Sequence, residues 1–319
     1  MRALMPAGSH LDVGIGDDAA VIRAPDARVV ATTDLLVEDT HFRRDWSGPF
    51  DIGRKAAAQN LADVAAMGAS PTALLVGFGA PADLPAQWAM DLARGLAAEC
   101  ARAGASVAGG DVTRSDKIML GITALGDLGG QEPVRRGGAR PGDQLAVAGI
   151  LGSSGAGLAL LAAGLADAPA GRLDDLAGRP ELAELVAAHR SPQPPYAAGP
   201  QAARLGATSM IDISDGLVQD LGHLAEASGV SVDVRTPWLA ACTAVRTAAL
   251  RAAAEVLGGP DWLTWVLSGG EDHALAATFP AGTALPASWP VIGVVAAGSG
   301  VRVDGRDRGD LRGWDHFRD

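Results

Sequence analysis

With 319 residues, 48% of them apolar and only 4% aromatic, the chain is long enough for two hydrophobic cores and far from a disordered composition. Its net charge of -11 excludes the clustered basic face that nucleic acid or an anionic membrane would need, and no run of about 18 apolar residues exists to span a bilayer. Met1-Arg2-Ala3-Leu4-Met5-Pro6 lacks the apolar core of a signal peptide, and Cys100 and Cys242 lie in separate Ala-rich helical contexts, so the expected location is cytoplasmic.

Short β-branched runs alternate with longer helical patterns, which predicts an α/β or α+β class. Residues 19–23 and 28–33 read as strands around the turn Ala24-Pro25-Asp26-Ala27. A helix is expected over 54–67 with Gly68 at its C-terminal end, then a strand at 72–78 and a helix over 84–102 ended by Gly104. Strands at 106–109 and 117–128 follow. The Arg-, Gly- and Pro-rich stretch 135–143 reads as a boundary, giving domains 1–136 and 137–319. Beyond it come a strand at 144–148, a Gly/Ser loop, a helix over 157–165 and a segment, 191–200, whose prolines forbid regular helix. A strand at 209–213, a helix over 217–227 and further strands complete the second half.

Acidic motifs interrupt this pattern: Gly16-Asp17-Asp18, Thr32-Thr33-Asp34, Gly109-Gly110-Asp111 and Asp212-Ile213-Ser214-Asp215-Gly216. Asp34, Asp111 and Asp212 are expected at the ends of apolar strands, on the rim where ligands collect. Single aspartates of this kind are ordinary turn and cap residues. Asp63 is not: it sits inside an Ala-rich helix, with Leu61, Val64 and Ala65 as the buried side and Gln59 and Asn60 on its own face. Carboxylates with threonine hydroxyls form a hard oxygen donor set suited to magnesium. The Cys and His spacings of a zinc site are absent, as are an EF-hand and a Walker-type phosphate loop. Gly14-x-Gly16-x-x-Ala19 imitates a dinucleotide fingerprint, but strand and turn residues follow it where a helix is required.

Taken in order, the motifs resemble those of the thiamine-monophosphate kinases, in the superfamily typified by aminoimidazole ribonucleotide synthetase. They are Gly14-Ile15-Gly16-Asp17-Asp18-Ala19, the run from Thr32 to Phe42, the run from Asn60 to Ala69, Gly109-Gly110-Asp111, the run from Arg136 to Asp143, the run from Asp212 to Leu217, Ser268-Gly269-Gly270-Glu271-Asp272, and Gly313-Trp314-Asp315-His316-Phe317. The resemblance implies two mixed α/β domains, with the first domains of two chains pairing their sheets in a homodimer. It implies transfer of the γ-phosphoryl group of ATP to thiamine monophosphate. It places magnesium ligands at Asp18, Thr32, Thr33, Asp34, Asp63, Asp111, Asp212 and Asp215. Nucleotide contacts fall on Gly110, Asp111, Arg136 and Ser214, and substrate contacts on His41, Glu271 and Trp314. The cleft between the domains would hold the ions. Glu271-Asp272-His273-Ala274 departs from the family's Glu-Asp-Tyr-Glu pattern.

The implied chemistry agrees with the composition. Two polyanionic substrates meeting on an acidic protein need bridging cations. The acceptor is already a phosphate oxygen with a second pKa near 6, so no general base, and hence no catalytic residue in that sense, is expected. Two alternatives stand beside this reading: a non-catalytic nucleotide- or metal-binding regulator of the same fold, and another ATP-dependent enzyme of the superfamily. Against the latter, the first cysteine is Cys100, whereas selenophosphate synthetases need a reactive residue near the N-terminus.

Overall fold

The computed structural model describes Met5, residues 8–15, 19–165, 178–242, 245–259 and 261–308, Leu311 and Gly313. Asp18 and Trp314 lie outside these residues. A two-stranded ribbon, β1 (Leu11–Val13) with β2 (Val21–Ile22), precedes the first main sheet. That sheet is built from β3 (Val30–Val37), β4 (Ser70–Ala80), β5 (Ser106–Arg114) and β6 (Met119–Asp127), in the order β3-β6-β4-β5. Helices α1 (Pro49–Ala66) and α2 (Ala86–Ala103) belong to the same half, and α2 ends where Gly104 turns left-handed at φ 77°.

The second sheet comprises β7 (Gln144–Ala148), β8 (Ser209–Ile213), β9 (Ser231–Val234), β10 (Ala274–Phe279), β11 (Val291–Ala296), β12 (Gly300–Val303) and β13 (Arg306–Asp307). Their order is β13-β12-β9-β11-β7-β10-β8. Between them run α3 (Ser153–Ala162), α4 (Pro180–Arg190), α5 (Ala198–Arg204), α6 (Leu217–Ser228), α7 (Thr236–Ala241), α8 (Thr247–Val256) and α9 (Trp262–Ser268). The mixed α/β class follows directly.

Alternation along the second sheet explains the cores. Leu145, Val147, Ile211, Ile213 and Ala276 pack with helix residues such as Leu160, Leu185, Leu221, Leu250 and Val266. The intervening Ala146, Ala148, Met210, Leu275, Ala277 and Phe279 join a different core, with Leu61 and Ala65 of α1 and Leu74 and Ile122 of the first sheet. Every residue of β10 is therefore buried, which is why it reads as an unbroken apolar run. Helix α1 is enclosed on more than one side, and Ala56, Ala57, Ala58, Ala62 and Ala65 let the elements around it come close.

Helix α5 approaches α1 so closely that a Cβ on Gly199 would stand 2.0 Å from the Ala65 carbonyl oxygen. Gly199→Ala must push backbone against backbone, so a loss of about 2–3 kcal/mol is expected, read as a lower urea midpoint at an unchanged slope. A midpoint equal to wild type would show that the two helices separate freely.

Several boundaries differ from the expectation. Strands β3 and β5 continue past their motifs, so Asp34 and Asp111 are mid-strand residues rather than rim residues. The cause is pairing: Asp34 is in register with Ile122 and Asp111 with Gly77, and ladder hydrogen bonds carry polar positions that propensity disfavours. Asp212, next to last in β8, is at a strand end as expected. Helix α3 starts at Ser153, within the stretch read as a Gly/Ser loop, because the Asp272 carboxylate accepts hydrogen bonds from the Gly152 and Ser154 N–H groups and supplies the missing cap. Helix α1 starts at Pro49, five residues before the expected position, with proline tolerated in its first turn.

Candidate active site

Asp63 projects from α1 towards β3, where the Thr32 hydroxyl donates to its Oδ2 at 2.9 Å. One turn earlier on α1, Asn60 is buried; its Oδ1 accepts from the Asp34 N–H at 3.0 Å, and its Nδ2 donates to the Ala56 carbonyl. The amide thus locks the strand bearing Asp34 to the helix bearing Asp63. Strand β8 brings Asp212 to the same place from the second sheet. Burial, followed by the charges of Asp212 and Asp34, pushes the Asp63 carboxyl up to about 8, and the Thr32 hydrogen bond only partly opposes this. Repulsion of this kind is what a cation relieves.

Asp212 Oδ2 is buried and accepts no hydrogen bond; His273 Nδ1 stands 3.5 Å from it. Burial opposes a proton on His273, yet Asp212, Glu271 and Asp63 together raise its pKa, so the imidazole is held towards its cationic form. His273 thus partly offsets the charge of the acid cluster.

Glu271 turns the opposite way. Lys55 Nζ, only 2% exposed, donates to Glu271 Oε2 at 2.8 Å, and His189 Nδ1 stands 3.4 Å from the same oxygen. Burial would raise the Glu271 pKa, but Lys55 holds it at about 2. Burial and Lys55 drive His189 down to about 3, so it is neutral and shares its Nδ1 with the Ser154 hydroxyl at 3.1 Å. Glu271 and His273 both adopt left-handed backbone, with φ 62° and 51°. Three consecutive side chains of this turn therefore engage three different elements: Glu271 reaches α1, Asp272 caps α3, and His273 faces β8.

The loop Ser214-Asp215-Gly216 joins β8 to α6 and curls around the Asp220 carboxylate, whose Oδ2 accepts from all three N–H groups at 3.1 Å. Burial and the charges of Asp212 and Asp215 nevertheless raise the Asp220 pKa to about 8.

Other expected site residues are not gathered here. The Thr33 hydroxyl donates to the Ile122 carbonyl at 2.9 Å. The row Leu35–Gly121–Gly77–Asp111 crosses the sheet in register, placing Asp111 beside exposed Gly77, while Leu36, Ile122 and Phe78 of the adjacent rows are buried. Gly110 and Asp111 are both exposed on edge strand β5. Arg136 is exposed, with its carbonyl held by Ser228 at the far end of α6 from Ser214, about 18 Å along a helix of that length. His41 lies in the turn after β3, and its Nδ1 accepts from the Val37 N–H at 3.0 Å. Among the described residues, no group of three or more His, Cys, Asp or Glu side chains is arranged to hold a metal ion unaided. Donor chemistry fits magnesium all the same: mutually repelling carboxylates and a buried carboxylate oxygen without a hydrogen bond.

Lys55, His189 and Asp220 belong to no sequence motif, and His273 shows only as a departure from the family pattern. Lys55 had a signal in retrospect, being one of only two lysines and lying in an Ala-rich helix.

Comparison with known proteins agrees with this architecture. Residues 16–128 match the family model described as AIR synthase related protein, N-terminal domain. The thiamine-monophosphate kinase of Mycobacterium tuberculosis H37Rv is 49% identical over 306 residues, covering 96% of this chain and 86% of its own. That of Corynebacterium glutamicum is 44% identical over 85% of this chain and 78% of its own. Among solved structures, the thiamine-monophosphate kinase of Stenotrophomonas maltophilia K279a superposes with a TM-score of 0.81 at 34% identity, covering 93% of this chain and 92% of its own. AaThiL complexed with AMPPCP and TMP gives a TM-score of 0.80 at 32% identity, covering 95% and 92%. Hydrogenase maturation protein HypE, at 20% identity and a TM-score of 0.65, shares the fold. With nearly half its residues identical to such a relative over almost its whole length, the chain belongs to the thiamine-monophosphate kinase family.

Proposed function

We propose that this chain transfers the γ-phosphoryl group of ATP to thiamine monophosphate, forming thiamine diphosphate and ADP. The observation that carries the reading is the acid cluster of Asp34, Asp63 and Asp212, drawn from both sheets, in which Asp212 Oδ2 accepts no hydrogen bond and the charges of Asp34 and Asp212 push the Asp63 carboxyl up despite His273. Its neighbours in the family include a kinase structure holding an ATP analogue and TMP together.

In this reading Asp34, Asp63 and Asp212 hold magnesium, with Asp18, Asp215 and the Thr32 hydroxyl as further candidate ligands. Magnesium there would neutralise the phosphate oxygens of both substrates and draw them together. The chain's own contribution is alignment. Asn60 fixes the spacing of Asp34 and Asp63, and the turn 271–273 fixes Asp212 relative to α1. No side chain is needed to take a proton, because the acceptor phosphate is largely ionised at neutral pH. Ser214 and Arg136 would contact nucleotide; His41, Glu271 and Trp314 would contact the thiamine substrate.

A division into domains 1–136 and 137–319, a homodimer and a cytoplasmic location belong to the same proposal. The exposed face of the first sheet supports the dimer: Leu35, Leu75 and Met119 are 57%, 37% and 39% exposed, an apolar patch that a second copy would cover. Thr33, Gly110 and Asp111, which one chain does not bring to the acid cluster, also occupy this sheet. No helix among the described residues is long and apolar enough to cross a membrane, and Cys100 and Cys242 form no disulfide.

Purified protein supplied with ATP, magnesium and either thiamine monophosphate or free thiamine tests the reading, with ADP and thiamine diphosphate followed together. Turnover with the monophosphate alone is expected. Turnover with thiamine alone would refute the acceptor, and nucleotide binding without any turnover would favour a regulator.

A further inference from the structure

Asp220 belongs to no motif used above, yet it organises one of them. It is 3% exposed, lies in the first turn of α6, and gathers the N–H groups of Ser214, Asp215 and Gly216 on a single oxygen at 3.1 Å each. Three successive amides converging on one carboxyl oxygen form a turn closed around an internal acceptor. Without that acceptor the three donors would face one another with nothing to accept them, and the loop would open.

The loop is clamped from outside as well. A Cβ on Gly216 would stand 2.8 Å from the Ser268 carbonyl oxygen, and one on Gly270 would stand 2.7 Å from that of Ser214. The Glu271 N–H donates to the Ser214 carbonyl at 2.7 Å. From the C-terminal side, a Cβ on Gly313 would stand 2.2 Å from the Asp215 carbonyl oxygen. Gln219 bridges the two: its Oε1 accepts from the Gly313 N–H at 3.0 Å, and its Nε2 donates to Asp215 Oδ2 at 3.3 Å. The backbone of Ser214 and Asp215 thus has one position, set beneath by Asp220 and above by the segments at 268–271 and 313.

We infer that Asp220 is a positioning residue of the phosphoryl-transfer site: by holding three consecutive amides it sets the placement of Ser214 and Asp215 towards the nucleotide and its metal. Its role runs through these amides rather than through contact with either substrate. The inference rests on the proposed function for what Ser214 and Asp215 contact, but not for the tether itself.

Three measurements on Asp220→Asn and Asp220→Ala separate the possibilities: hydrogen exchange of the peptide containing residues 214–216, affinity for magnesium with a non-hydrolysable ATP analogue, and affinity for thiamine monophosphate. The Asn side chain keeps one oxygen able to accept all three hydrogen bonds, so protection is expected to persist, with nucleotide affinity within about 5-fold of wild type. The Ala variant is expected to lose protection at these amides and to bind nucleotide about 30-fold more weakly, with affinity for thiamine monophosphate nearly unchanged. Loss of protection with undiminished nucleotide affinity overturns the positioning role. Equal weakening for both ligands in Ala, unrescued by Asn, overturns it too, in favour of a purely structural one. Should the Ala variant not fold, Asn decides alone: retained protection with about 30-fold weaker nucleotide binding would also refute it. A wild-type protein that binds no nucleotide would refute the functional reading instead.

Discussion

Asp63→Asn is expected to lower turnover by about three orders of magnitude, or roughly 4 kcal/mol of transition-state stabilisation, while leaving the metal-free protein as stable as wild type or more so. The two halves of this expectation have one cause. Asp63 is buried beside Asp34 and Asp212, which disfavour its charged form, and the charged form becomes favourable only when a cation occupies the site. The neutral amide is nearly isosteric and keeps an oxygen for the Thr32 hydroxyl, so it removes repulsion without leaving a cavity. The pH dependence has a definite sign. Because the folded pKa, about 8, is raised above the ordinary 3.8, the stability that Asp63 contributes is fully present below about pH 4 and is lost as pH rises through 8. Asp220, raised to about 8, and Asp272, raised to about 7, share that window, so Asp63→Asn flattens the metal-free profile without abolishing its slope. Magnesium should oppose the wild-type loss by favouring the charged form, and should do less for the variant. Thermal midpoints from pH 5 to pH 9, with and without magnesium, measure this. A variant markedly less stable than wild type without metal would make Asp63 a structural carboxylate and undo the metal assignment.

How much of this was legible depends on whether the cause was local. Strands β7 and β8 have the expected bounds because each is a short apolar run ended by polar or glycine residues. The end of α2 was legible because Gly104 provides the left-handed residue a helix terminus uses. Asp63 and Asn60 stood out because a buried polar face inside an Ala-rich helix needs a partner, and β3 supplies it. What escaped was set by distant pairing. Thr32-Thr33-Asp34 resembles the end of a strand until Thr123 and Ile122 are known to lie alongside. The cap of α3 comes from Asp272, more than a hundred residues away, so its first turn looked like a loop. His273 was visible only as a departure from a pattern; its place beside Asp212 depends on the left-handed turn that precedes β10. Gly110, Asp111 and Thr33 were singled out by their motifs rather than by a misfit with their surroundings, as Asp63 was. Sequence order could not reveal that Thr33 and Asp111 fall in rows of the sheet adjacent to that of Asp34.

Lys55→Met should be the most destabilising single change near the site. Lys55 Nζ and Glu271 Oε2 are 2.8 Å apart, with the lysine almost fully enclosed and the carboxylate 31% exposed. Deleting one member of a buried pair leaves the other charged and unpaired, at a cost of about 3 kcal/mol once the partial exposure of Glu271 is allowed for. Methionine fills the volume of the lysine stem, so the loss reads as electrostatic rather than as a cavity. In wild type the Glu271 pKa is depressed to about 2 from its ordinary 4.5, so its contribution is present above about pH 4.5 and is lost as pH falls through 2. Without Lys55 the sign reverses: burial dominates, the carboxyl rises above its ordinary value, and the variant weakens as pH increases from 4 to 7. Adding Glu271→Gln to Lys55→Met removes the stranded charge and should restore more than half of the lost stability, a coupling measurable by urea unfolding of the four proteins in the cycle. Additive effects of the two substitutions would show that the pair is solvated enough to act as an ordinary surface bridge. Because Glu271 anchors the turn that also carries Asp272 and His273, the single variant should loosen α3 and Asp212 together. Its turnover is therefore expected to fall further than that of the double variant.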